Sequence, residues 1–588
     1  MSSAAERAKA AIARGDLIGA FDEAVSAIAQ GDESSAIRYS QVLALARMGD
    51  TDRAAELFES YGLSASQDPH EQAIGARIAK DRALALPPGV ARQQALTEAA
   101  EAYGAIYAQS GDSFPGINAA SLAMLAGRTG RGERIAGDIL AMSEVAEPQD
   151  FYMAATRAEA ELLLKKVEAC ATSLNLAAEF VGNDHGARST SFRQLQLLAR
   201  HIGLSGNEAE ALLAPIAPAR VIHYCGHIFA SDAALEAGLR ARIDAWLDES
   251  DAGFAFGSLA AGADMLVAEA ILARGAELNV VLPFNVEDFV EQSVRPAGEA
   301  WLPRFDRCMK AAAGLTMATE MPYVGDPEQF AYCSRVAMGL AKLRALHLGN
   351  RPLQLALWDS KPARGAGGTG GDVAIWRKLE GASHVIEPVG IDREFARAPV
   401  RETLAHERAL AAILFTDFPG FSKLAETVLP IFWDGVMGAI ADVIDDHSDG
   451  VLVRNSWGDA LYAVASSAAG AAAIALDLQD RLRSFDYTKL GLENCGGMRI
   501  GAHYGPAYRA EDRITGRLNF YGTEVSRAAR IEPVTPPGAV FVTEPFAAIL
   551  ALEAPDDFRC RYVGRISLAK NYGTFRMYLL TRGQAVQD

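Results

Sequence analysis

Hydrophobic residues recur at helical spacing through the first third of the chain. Up to about residue 215 the sequence is rich in Ala, Glu, Leu and Arg, and apolar residues return every three or four positions. Two dipeptides, Gly15-Asp16 and Gly49-Asp50, each precede an apolar helical segment and lie 34 positions apart. We therefore predict an α-helical repeat region over residues 1–215, with a non-repetitive helical bundle as the alternative.

A later stretch of this region repeats the same order of turn and helix. SGDSFPGINAASLAMLAGRTG indicates a polar turn followed by an apolar helix. The 34-residue period is similar to that of tetratricopeptide repeats, and the region resembles the helical segment called TRAFs-binding in bacterial multidomain proteins. It contains no catalytic constellation, so we predict a scaffold that offers a surface to a protein partner.

Beyond Ala217, short β-branched runs alternate with helical patterns. ARVIHYCGH is typical of a buried strand that feeds a turn, and LNVVLPF, QLALWD and SHVIEPV follow, with helical patterns between them. Strands that alternate with helices predict a doubly wound parallel α/β sheet. We place this middle domain at residues 218–395.

Glycine-rich turns follow several of these strands. Such a turn, where it opens a helix, exposes backbone N–H groups that suit a phosphate; the alternative is that the glycines only allow strand and helix to pack closely. Together with Pro283-Phe284 and the loop WDSKPARGAGGTGG, the turns resemble the SLOG family of Rossmann-like domains, which implies a nucleotide-derived ligand. The residues that we assign to that ligand are Gly226, His227, Gly257, Ser258, Gly262, Asp264 and Gly368. We expect His227 to belong to the turn and not to a metal site, because no partner ligands stand at suitable spacing.

The last third of the chain places carboxylates at strand ends. ERALAAILFTDFPGFSKL predicts a buried strand that ends at Asp417, and VLVRNSWGDALYAVAS predicts two strands joined by a turn that contains Asp459. Two carboxylates so held can bind hard divalent cations that bridge triphosphate oxygens. The turn after the first strand leaves backbone amides to face phosphates. The residues of that turn are Phe418, Pro419, Gly420 and Phe421.

Four motifs stand in an informative order: FTDFPGF, then a hairpin with GDA, then GMRIGAHYGP, then FYGTEVSRAARIE. This order resembles that of class III adenylate and guanylate cyclases. We assign residues 405–582 to such a domain, which implies an α+β fold with a ferredoxin-like core. The resemblance also implies two Mg²⁺ or Mn²⁺ ions per site and the conversion of a nucleoside triphosphate to a 3′,5′-cyclic monophosphate and pyrophosphate. Because the family's active sites form between two domains, it implies a homodimer.

The resemblance assigns chemical roles to single residues. Asp417, Asp459 and the carbonyl of Phe418 match the metal ligands. Arg530 matches the arginine that stabilises charge on the α-phosphate, and in the family's dimers that arginine comes from the opposite subunit.

The base-reading positions depart from the family pattern. Asn455 and Asn519 stand where the family has a lysine or glutamate and its partner. Each amide carries both a donor and an acceptor, so the sequence leaves the base open. ATP is the leading candidate because it is the family's commonest substrate, and GTP, UTP and CTP are the alternatives.

Two further departures concern the phosphates. Ser526 replaces the asparagine that assists Arg530, and Tyr572 replaces a phosphate-binding lysine, with Lys570 and Arg576 nearby as substitutes. These changes support a second hypothesis, in which the cyclase fold is a non-catalytic signalling scaffold that binds a nucleotide and a partner.

Two residues near these motifs also need an interpretation. We expect Trp457 to pack in its hairpin and not to stack on a base. Arg527 is predicted to be either an exposed helix charge or a phosphate contact.

Composition limits the expected cellular location and the kinds of binding partner. Of 588 residues, 50% are hydrophobic and 22% are charged, as in ordinary globular proteins. The net charge of -18 argues against broad binding to nucleic acid or anionic membrane. We find neither a signal peptide nor about 18 uninterrupted apolar residues, and the six cysteines form no CxxC pair. We therefore expect a cytoplasmic enzyme, regulated through its helical and middle domains, without a zinc site, a disulfide framework or a membrane span.

Overall fold

The computed structural model describes residues 2–361, 367–393, 407–490 and 497–583. These residues divide into two compact units. One holds the chain up to Pro218 with His347–Asn350, and the other holds Ala219–Leu346 and most of the chain from Arg351 onward. The predicted limits at 395 and 405, and part of the glycine-rich loop at 362–366, lie outside the described residues.

Helices form the first unit, and this confirms the predicted helical region. They are α1 (Ala4–Ala13), α2 (Leu17–Ala29), α3 (Ser35–Met48), α4 (Thr51–Ser60), α5 (Pro69–Ala85), α6 (Val90–Ser110), α7 (Ser113–Leu125), α8 (Thr129–Leu140), α9 (Ser143–Ala146), α10 (Phe151–Leu163), α11 (Val167–Val181), α12 (His185–His201) and α13 (Gly206–Leu213). The two Gly-Asp turns share one geometry: Gly15 and Gly49 have φ of 73° and 84°, which favours glycine. The carboxylates of Asp16 and Asp50 then cap α2 and α4.

A parallel sheet with helices between its strands forms the middle domain. The elements are β1 (Arg220–Gly226), α14 (Ala233–Glu249), β2 (Ala252–Gly257), α15 (Ala263–Ala273), β3 (Glu277–Leu282), α16 (Val286–Ser293), α17 (Leu302–Ala311), β4 (Gly314–Met317), α18 (Glu328–Leu348), β5 (Leu353–Leu357), α19 (Thr369–Leu379) and β6 (His384–Ile386). The strand order is β4-β3-β2-β1-β5-β6, and every pairing is parallel. The chain thus winds outward in both directions from β1, which confirms the predicted doubly wound fold. The order reverses between β1 and β5, where open α/β sheets leave a crevice at their carboxyl ends.

A mixed sheet organises the last third of the chain. Its elements are β7 (Arg408–Asp417), α20 (Leu429–Phe432), α21 (Gly438–Asp446), β8 (Val451–Trp457), β9 (Ala460–Ala465), α22 (Ala468–Arg483), β10 (Arg499–Asp512), β11 (Arg517–Tyr521), α23 (Thr523–Ile531), β12 (Val540–Thr543), α24 (Glu544–Glu553), β13 (Phe558–Ser567) and β14 (Thr574–Arg582). The order is β13-β14-β12-β10-β7-β9-β8, with β11 paired to β10. β7 lies antiparallel to both of its neighbours. Helix α23 packs on the face that carries Ala411 and Ile413 of β7, through Ala528. This is the predicted α+β arrangement.

One helical stretch of this domain has the length and composition of a membrane span. It is Glu426–Asp446, with a mean hydropathy of 1.5 and 28% of its apolar window buried. No membrane span was expected, because the sequence has no stretch of about 18 uninterrupted apolar residues. The stretch includes α20, a π-helical turn at Trp433–Met437 and α21, and it connects two strands of one sheet, β7 and β8. The core helix of a soluble protein satisfies the same criterion.

Candidate active site

The structure brings Asp417 and Asp459 together. Asp417 is the last residue of β7, and Asp459 follows Gly458, whose φ of 63° makes the tight turn between β8 and β9. Because β9 pairs antiparallel with β7, this turn lies beside the end of β7. The amide of Phe418 donates to Oδ2 of Asp459 over 3.3 Å, which fixes the second carboxylate against the first strand.

Negative charge accumulates around these two carboxylates. Burial raises the pKa of Asp459, and the charge of Asp417 raises it further. Burial followed by the charge of Asp417 also raises the pKa of Glu532 to about 7. The nearby cation is Arg499, whose Nη1 lies 3.9 Å from Asp417 and 3.9 Å from Glu532. Among the described residues, these three acids are balanced by Arg499 alone, and a bound cation would relieve the excess of negative charge.

Sequence reasoning missed Glu532 and Arg499. Arg499 stands directly opposite Asp417 in the β7–β10 ladder. Glu532 follows α23 and approaches β10 at Gly501, where a Cβ atom would lie only 2.6 Å from the Glu532 nitrogen. The glycine of the MRIGAH motif is therefore the sequence signal that could have indicated this close approach.

The turn after Asp417 is partly closed by its own hydrogen bonds. Gly420 adopts a φ of 91°, as a tight turn requires. The amide of Phe421 donates to the carbonyl of Phe418 over 3.3 Å, so it does not face outward as expected. That carbonyl keeps its second lone pair. The ring of Phe418 is buried against Phe432, which anchors the turn.

Helix α23 presents Ser526 and Arg530 on one face. They are four residues apart and therefore lie on neighbouring turns. Ser526 is exposed and Arg530 is half-buried. Within the described part of the chain, Arg530 has neither a hydrogen-bond partner nor an ion-pair partner for its guanidinium.

The two asparagines lie on strands that contact each other. Asn455 is exposed on β8, an edge strand, and Asn519 is half-buried on β11. Each side-chain oxygen accepts a bond from the next amide, at 3.0 Å from Ser456 and 2.8 Å from Phe520. The amide NH₂ group of Asn455 is thus left as a donor, whereas the side chain of Asn519 also hydrogen-bonds with Asp512.

The candidate phosphate cations have different environments. Lys570 is exposed in a left-handed conformation with φ of 60°. Arg576 instead pairs with Glu544 over 3.3 Å. The hydroxyl of Tyr572 donates to the carbonyl of Thr523 over 3.1 Å, at the first residue of α23. The hydroxyl of Tyr572 is therefore engaged by α23, and Lys570 is the more accessible of the two candidate cations.

Trp457 and Arg527 lie in contrasting places. The indole of Trp457 is 60% exposed and stacks on Tyr462 across the hairpin. Arg527 is not an exposed helix charge, so that interpretation of it was wrong, and its burial argues against a phosphate contact. It is buried, its guanidinium covers the ring of Phe575, and it pairs with Glu524 over 3.2 Å.

The middle-domain candidates gather at the point where the strand order reverses. His227 follows β1, and its Nε2 lies 2.9 Å from Oδ1 of Asp359, which follows β5. Its Nδ1 lies 3.4 Å from the hydroxyl of Thr369 at the start of α19. Burial lowers the pKa of His227, and this outweighs the hydrogen bond to Asp359, which raises it. The histidine thus joins the loops on either side of the crevice.

The glycines of this domain serve two purposes. Gly226 and Gly257 permit close packing, since a Cβ atom would lie 2.2 Å from Ala263 and 2.7 Å from Tyr224 respectively. Gly262 and Gly368 have φ of 89° and 117° and cap α15 and α19. The carbonyl of Ser258 accepts a 2.8 Å bond from the Tyr224 hydroxyl, so this turn is also held from within.

Two buried aspartates lie at these helix starts. Burial raises the pKa of Asp264 to about 7, and burial likewise raises that of Asp372, on α19, to about 7. Oδ2 of Asp264 accepts a 3.3 Å bond from the amide of Ala260. Sequence reasoning included Asp264 and missed Asp372.

Comparisons with known proteins identify both ends of the chain. Residues 18–123 match the family described as Tetratricopeptide Repeats-Sensor, and residues 405–582 match the Adenylate and Guanylate cyclase catalytic domain. No curated protein matches the chain.

Solved cyclase structures are similar to part of this chain. The guanylate cyclase domain of RhGC from Catenaria anguillulae in complex with GTP is 17% identical, with 30% of this chain and 99% of that chain covered and a TM-score of 0.26. The adenylyl cyclase CyaB from P. aeruginosa is 14% identical, with coverages of 30% and 96% and a TM-score of 0.26. An adenylate cyclase from Trypanosoma brucei in its monomeric state is 20% identical, with coverages of 29% and 87% and a TM-score of 0.26.

The family matches confirm the helical repeats and the cyclase domain that the sequence motifs indicated. The likeness of the middle domain to the SLOG family stays a prediction. Residues 405–582 thus form the catalytic domain of a class III nucleotidyl cyclase, and a tetratricopeptide-repeat sensor region at residues 18–123 precedes it.

Proposed function

We propose that this cyclase converts ATP to 3′,5′-cyclic AMP and pyrophosphate in signal transduction. The observation that carries the proposal is the convergence of Asp417 and Asp459 at one end of the sheet, inside a domain of the cyclase family. GTP, UTP and CTP are alternative substrates, because Asn455 and Asn519 offer a base no fixed charge.

The carboxylate pair fits two Mg²⁺ or Mn²⁺ ions. The acids at this site carry an excess of negative charge, and carboxylate oxygens are the ligands that hard cations prefer. Among the described residues, His, Cys, Asp and Glu side chains form no group of three or more with the geometry to hold a metal ion by themselves. Asp417, Asp459 and the carbonyl of Phe418 would therefore need water and substrate oxygens to complete the coordination, as is usual for Mg²⁺ at phosphate sites. Bound ions would lower the pKa of the ribose 3′-hydroxyl and neutralise charge on the departing pyrophosphate.

The protein's own side chains would stabilise the reacting phosphate. The 3′-oxygen loses its proton to water and attacks the α-phosphorus, while the bond from that phosphorus to the oxygen bridging the α- and β-phosphates breaks and pyrophosphate leaves. Arg530 would pair with the α-phosphate as its charge develops, and Ser526 would donate one hydrogen bond in the same place. Loss of such a donor typically costs about 100- to 1000-fold in rate, so a serine in place of an amide should cost less. Lys570 would hold the terminal phosphates.

A homodimer would complete each active site. Arg530 lacks an ion-pair partner among the described residues, as expected if its substrate binds across a subunit boundary. Large apolar side chains are exposed on the π-helical turn, on β8 and on the β10–β11 hairpin. They include Ile514 at 95%, Trp457 at 60%, Trp433 at 53% and Leu452 at 40% exposure. Burial of these side chains in a second copy would remove apolar surface from water, and it would also cover the apolar stretch Glu426–Asp446.

Regulation would come from the preceding domains. The crevice around His227 and Gly368 would bind a nucleotide-derived ligand, and the helical repeats would bind a protein partner. We place the enzyme in the cytoplasm, and its acidic net charge supports partners other than nucleic acid or an anionic membrane.

Product analysis by mass spectrometry tests the proposal. The full chain would be incubated with Mg²⁺ or Mn²⁺ and each of ATP, GTP, CTP and UTP, beside Asp459→Ala and the matched surface variant Asp556→Ala. We expect a cyclic monophosphate from the unchanged chain and from Asp556→Ala, and none from Asp459→Ala. Absence of product with every triphosphate, in the presence of both metals, would favour the non-catalytic scaffold.

A further inference from the structure

The inner face of α23 carries a buried ionic network. His503 and Glu524 are fully buried, and their Nε2 and Oε2 atoms lie 2.6 Å apart. Nδ1 of His503 lies 2.7 Å from the hydroxyl of Thr543. Nη1 of Arg527 lies 3.2 Å from the same Glu524 oxygen, with 4% of the arginine side chain exposed. The carboxylate of Glu524 thus contacts β10 through His503 and also pairs with Arg527 on its own helix.

The charges in this network are fixed at neutral pH. Burial alone would raise the pKa of Glu524, but its bonds to His503 and Arg527 lower it below its ordinary value. Burial lowers the pKa of His503, which outweighs the opposite effect of Glu524. A neutral histidine, a carboxylate and a guanidinium therefore coexist.

The network extends into the middle domain. Nη2 of Arg527 lies 3.4 Å from Oε2 of Glu320, in the segment between β4 and α18. On α18 itself, the hydroxyl of Tyr332 donates to the carbonyl of Tyr504 over 2.7 Å, one residue after His503 on β10. The catalytic helix is thus connected to the middle domain through a side chain and through its neighbouring strand.

Close packing makes this connection rigid. A Cβ atom on Gly339 of α18 would lie only 2.2 Å from the carbonyl oxygen of Ala548 on α24. Met338, Trp376 and Leu552 form a buried apolar cluster across the same boundary. Interfaces with this fit move as units and transmit small displacements.

Stability does not account for the network. Buried ion pairs seldom stabilise more than apolar residues of the same size would. Within the described residues, Oε1 of Glu524 and Nε of Arg527 are also buried without a hydrogen-bond partner, which is a further cost. Orientation is the property that such a network can supply. Glu524 and Arg527 are buried on α23, whereas Ser526 on the same helix is exposed.

We propose that Arg527 is a positioning residue, which ties α23 to Glu320 of the middle domain and so sets where Arg530 meets the α-phosphate. The inference rests on the proposed function, because it concerns the rate of the same reaction. Displacement of the segment before α18 would move α23, and misplacement of a catalytic group by 1 Å can cost about 100-fold in rate.

Steady-state kinetics and hydrogen exchange on the full chain test this role. The variants are Arg527→Lys, Glu320→Gln and their combination, with Glu287→Gln as a control on an exposed glutamate of α16. We expect Arg527→Lys to lower kcat about 10-fold with KM unchanged, because transition-state contacts alone are misplaced. Glu320→Gln should lower kcat by roughly threefold, and the double variant should be no slower than Arg527→Lys, as coupled residues require. Amides of residues 523–531 should exchange faster in Glu320→Gln and not in Glu287→Gln.

The outcomes separate the two proposals. Glu320 is 59% exposed, so its variant should fold even if Arg527→Lys does not. Unchanged kcat and exchange in Glu320→Gln, or rate losses that multiply in the double variant, would overturn the positioning role while leaving the cyclase intact. An inactive unchanged chain would overturn the proposed function, and with it any role of Arg527 in catalysis.

Discussion

Replacement of Asp417 by Asn should abolish activity and yet stabilise the metal-free protein. Asp417 raises the pKa of both Asp459 and Glu532, in each case after burial. A carboxyl group whose pKa is raised by folding favours the folded state at low pH, and that contribution is lost as the pH rises through its folded pKa. For Glu532 the loss takes place between its ordinary value of 4.5 and about 7. At pH 8 Glu532 is therefore ionised at a cost that Asn at position 417 would reduce.

The expected gain follows from the contacts of Asp417. A pKa of about 7 instead of 4.5 for Glu532 corresponds to roughly 3 kcal/mol at pH 8, of which burial is the larger cause. Asp417 is 36% exposed, so solvent screens its repulsion of Asp459 and Glu532. We therefore take the part of the cost that is due to Asp417 as about 1.5 kcal/mol. Loss of the 3.9 Å pair with Arg499 should cost about 0.5 kcal/mol. The net gain of about 1 kcal/mol corresponds to a rise in Tm of roughly 3 °C for a domain of this size.

Thermal unfolding in a chelator at pH 8 and pH 5 measures this effect. We expect Asp417→Asn to melt above the unchanged protein at pH 8 and slightly below it at pH 5, where Glu532 is protonated in both and only the loss of the Arg499 pair remains. Millimolar Mg²⁺ should raise the Tm of the unchanged protein alone, because only its site binds the ion. Asp556→Asn, a change at an exposed aspartate, should have no effect. A lower Tm for Asp417→Asn at pH 8 without metal would refute the electrostatic account.

Three further outcomes follow from the geometry. Mixing inactive Asp417→Asn and Arg530→Ala chains should restore about a quarter of the normal cyclase rate, since half of randomly formed dimers carry one intact composite site; no recovery would exclude a shared site. Ile514→Lys, at a 95% exposed hairpin residue, should shift the protein from dimer to monomer in sedimentation and remove activity. Gly339→Ala should lower the free energy of unfolding by about 2 kcal/mol in urea, because its Cβ atom would approach the Ala548 oxygen to 2.2 Å.

Local rules were sufficient where a residue's role depends on its own stretch of chain. The alternation of strand and helix patterns predicted the doubly wound sheet, because the strands β1, β2, β3 and β5 are largely buried and continuous. The Gly-Asp turns predicted helix starts since their conformation needs only a glycine φ and a capping carboxylate. Asp417 and Asp459 were found in the same way, because each stands at the end of a strand pattern. Their register across β7 and β9 then brings them together.

Sequence alone failed where a role depends on a distant partner. Arg527 has the appearance of a surface charge on a short helix, and only Glu524, Phe575 and Glu320 explain its burial. Glu320 lies more than 200 residues earlier in the chain. Glu532 was missed for a similar reason, since its raised pKa comes from burial beside Asp417 and not from its own neighbours in sequence. Pairings of this kind belong to tertiary packing, which periodicity does not record.

Helix α18 is the element through which a middle-domain ligand could act on catalysis. Its Ser334 contacts Asp372, at the helix start beside the crevice, and its Tyr332 contacts β10 of the cyclase domain. A ligand that binds equally well to two arrangements of α18 shifts neither, however tight its binding. Regulation therefore requires that crevice and catalytic helix prefer the same arrangement. Thermodynamic linkage then makes the effect on binding reciprocal. A triphosphate analogue that orders α23 must raise the affinity for the middle-domain ligand by the same factor by which that ligand raises the affinity for the analogue. If Arg527 carries this coupling, Arg527→Lys should reduce both factors together.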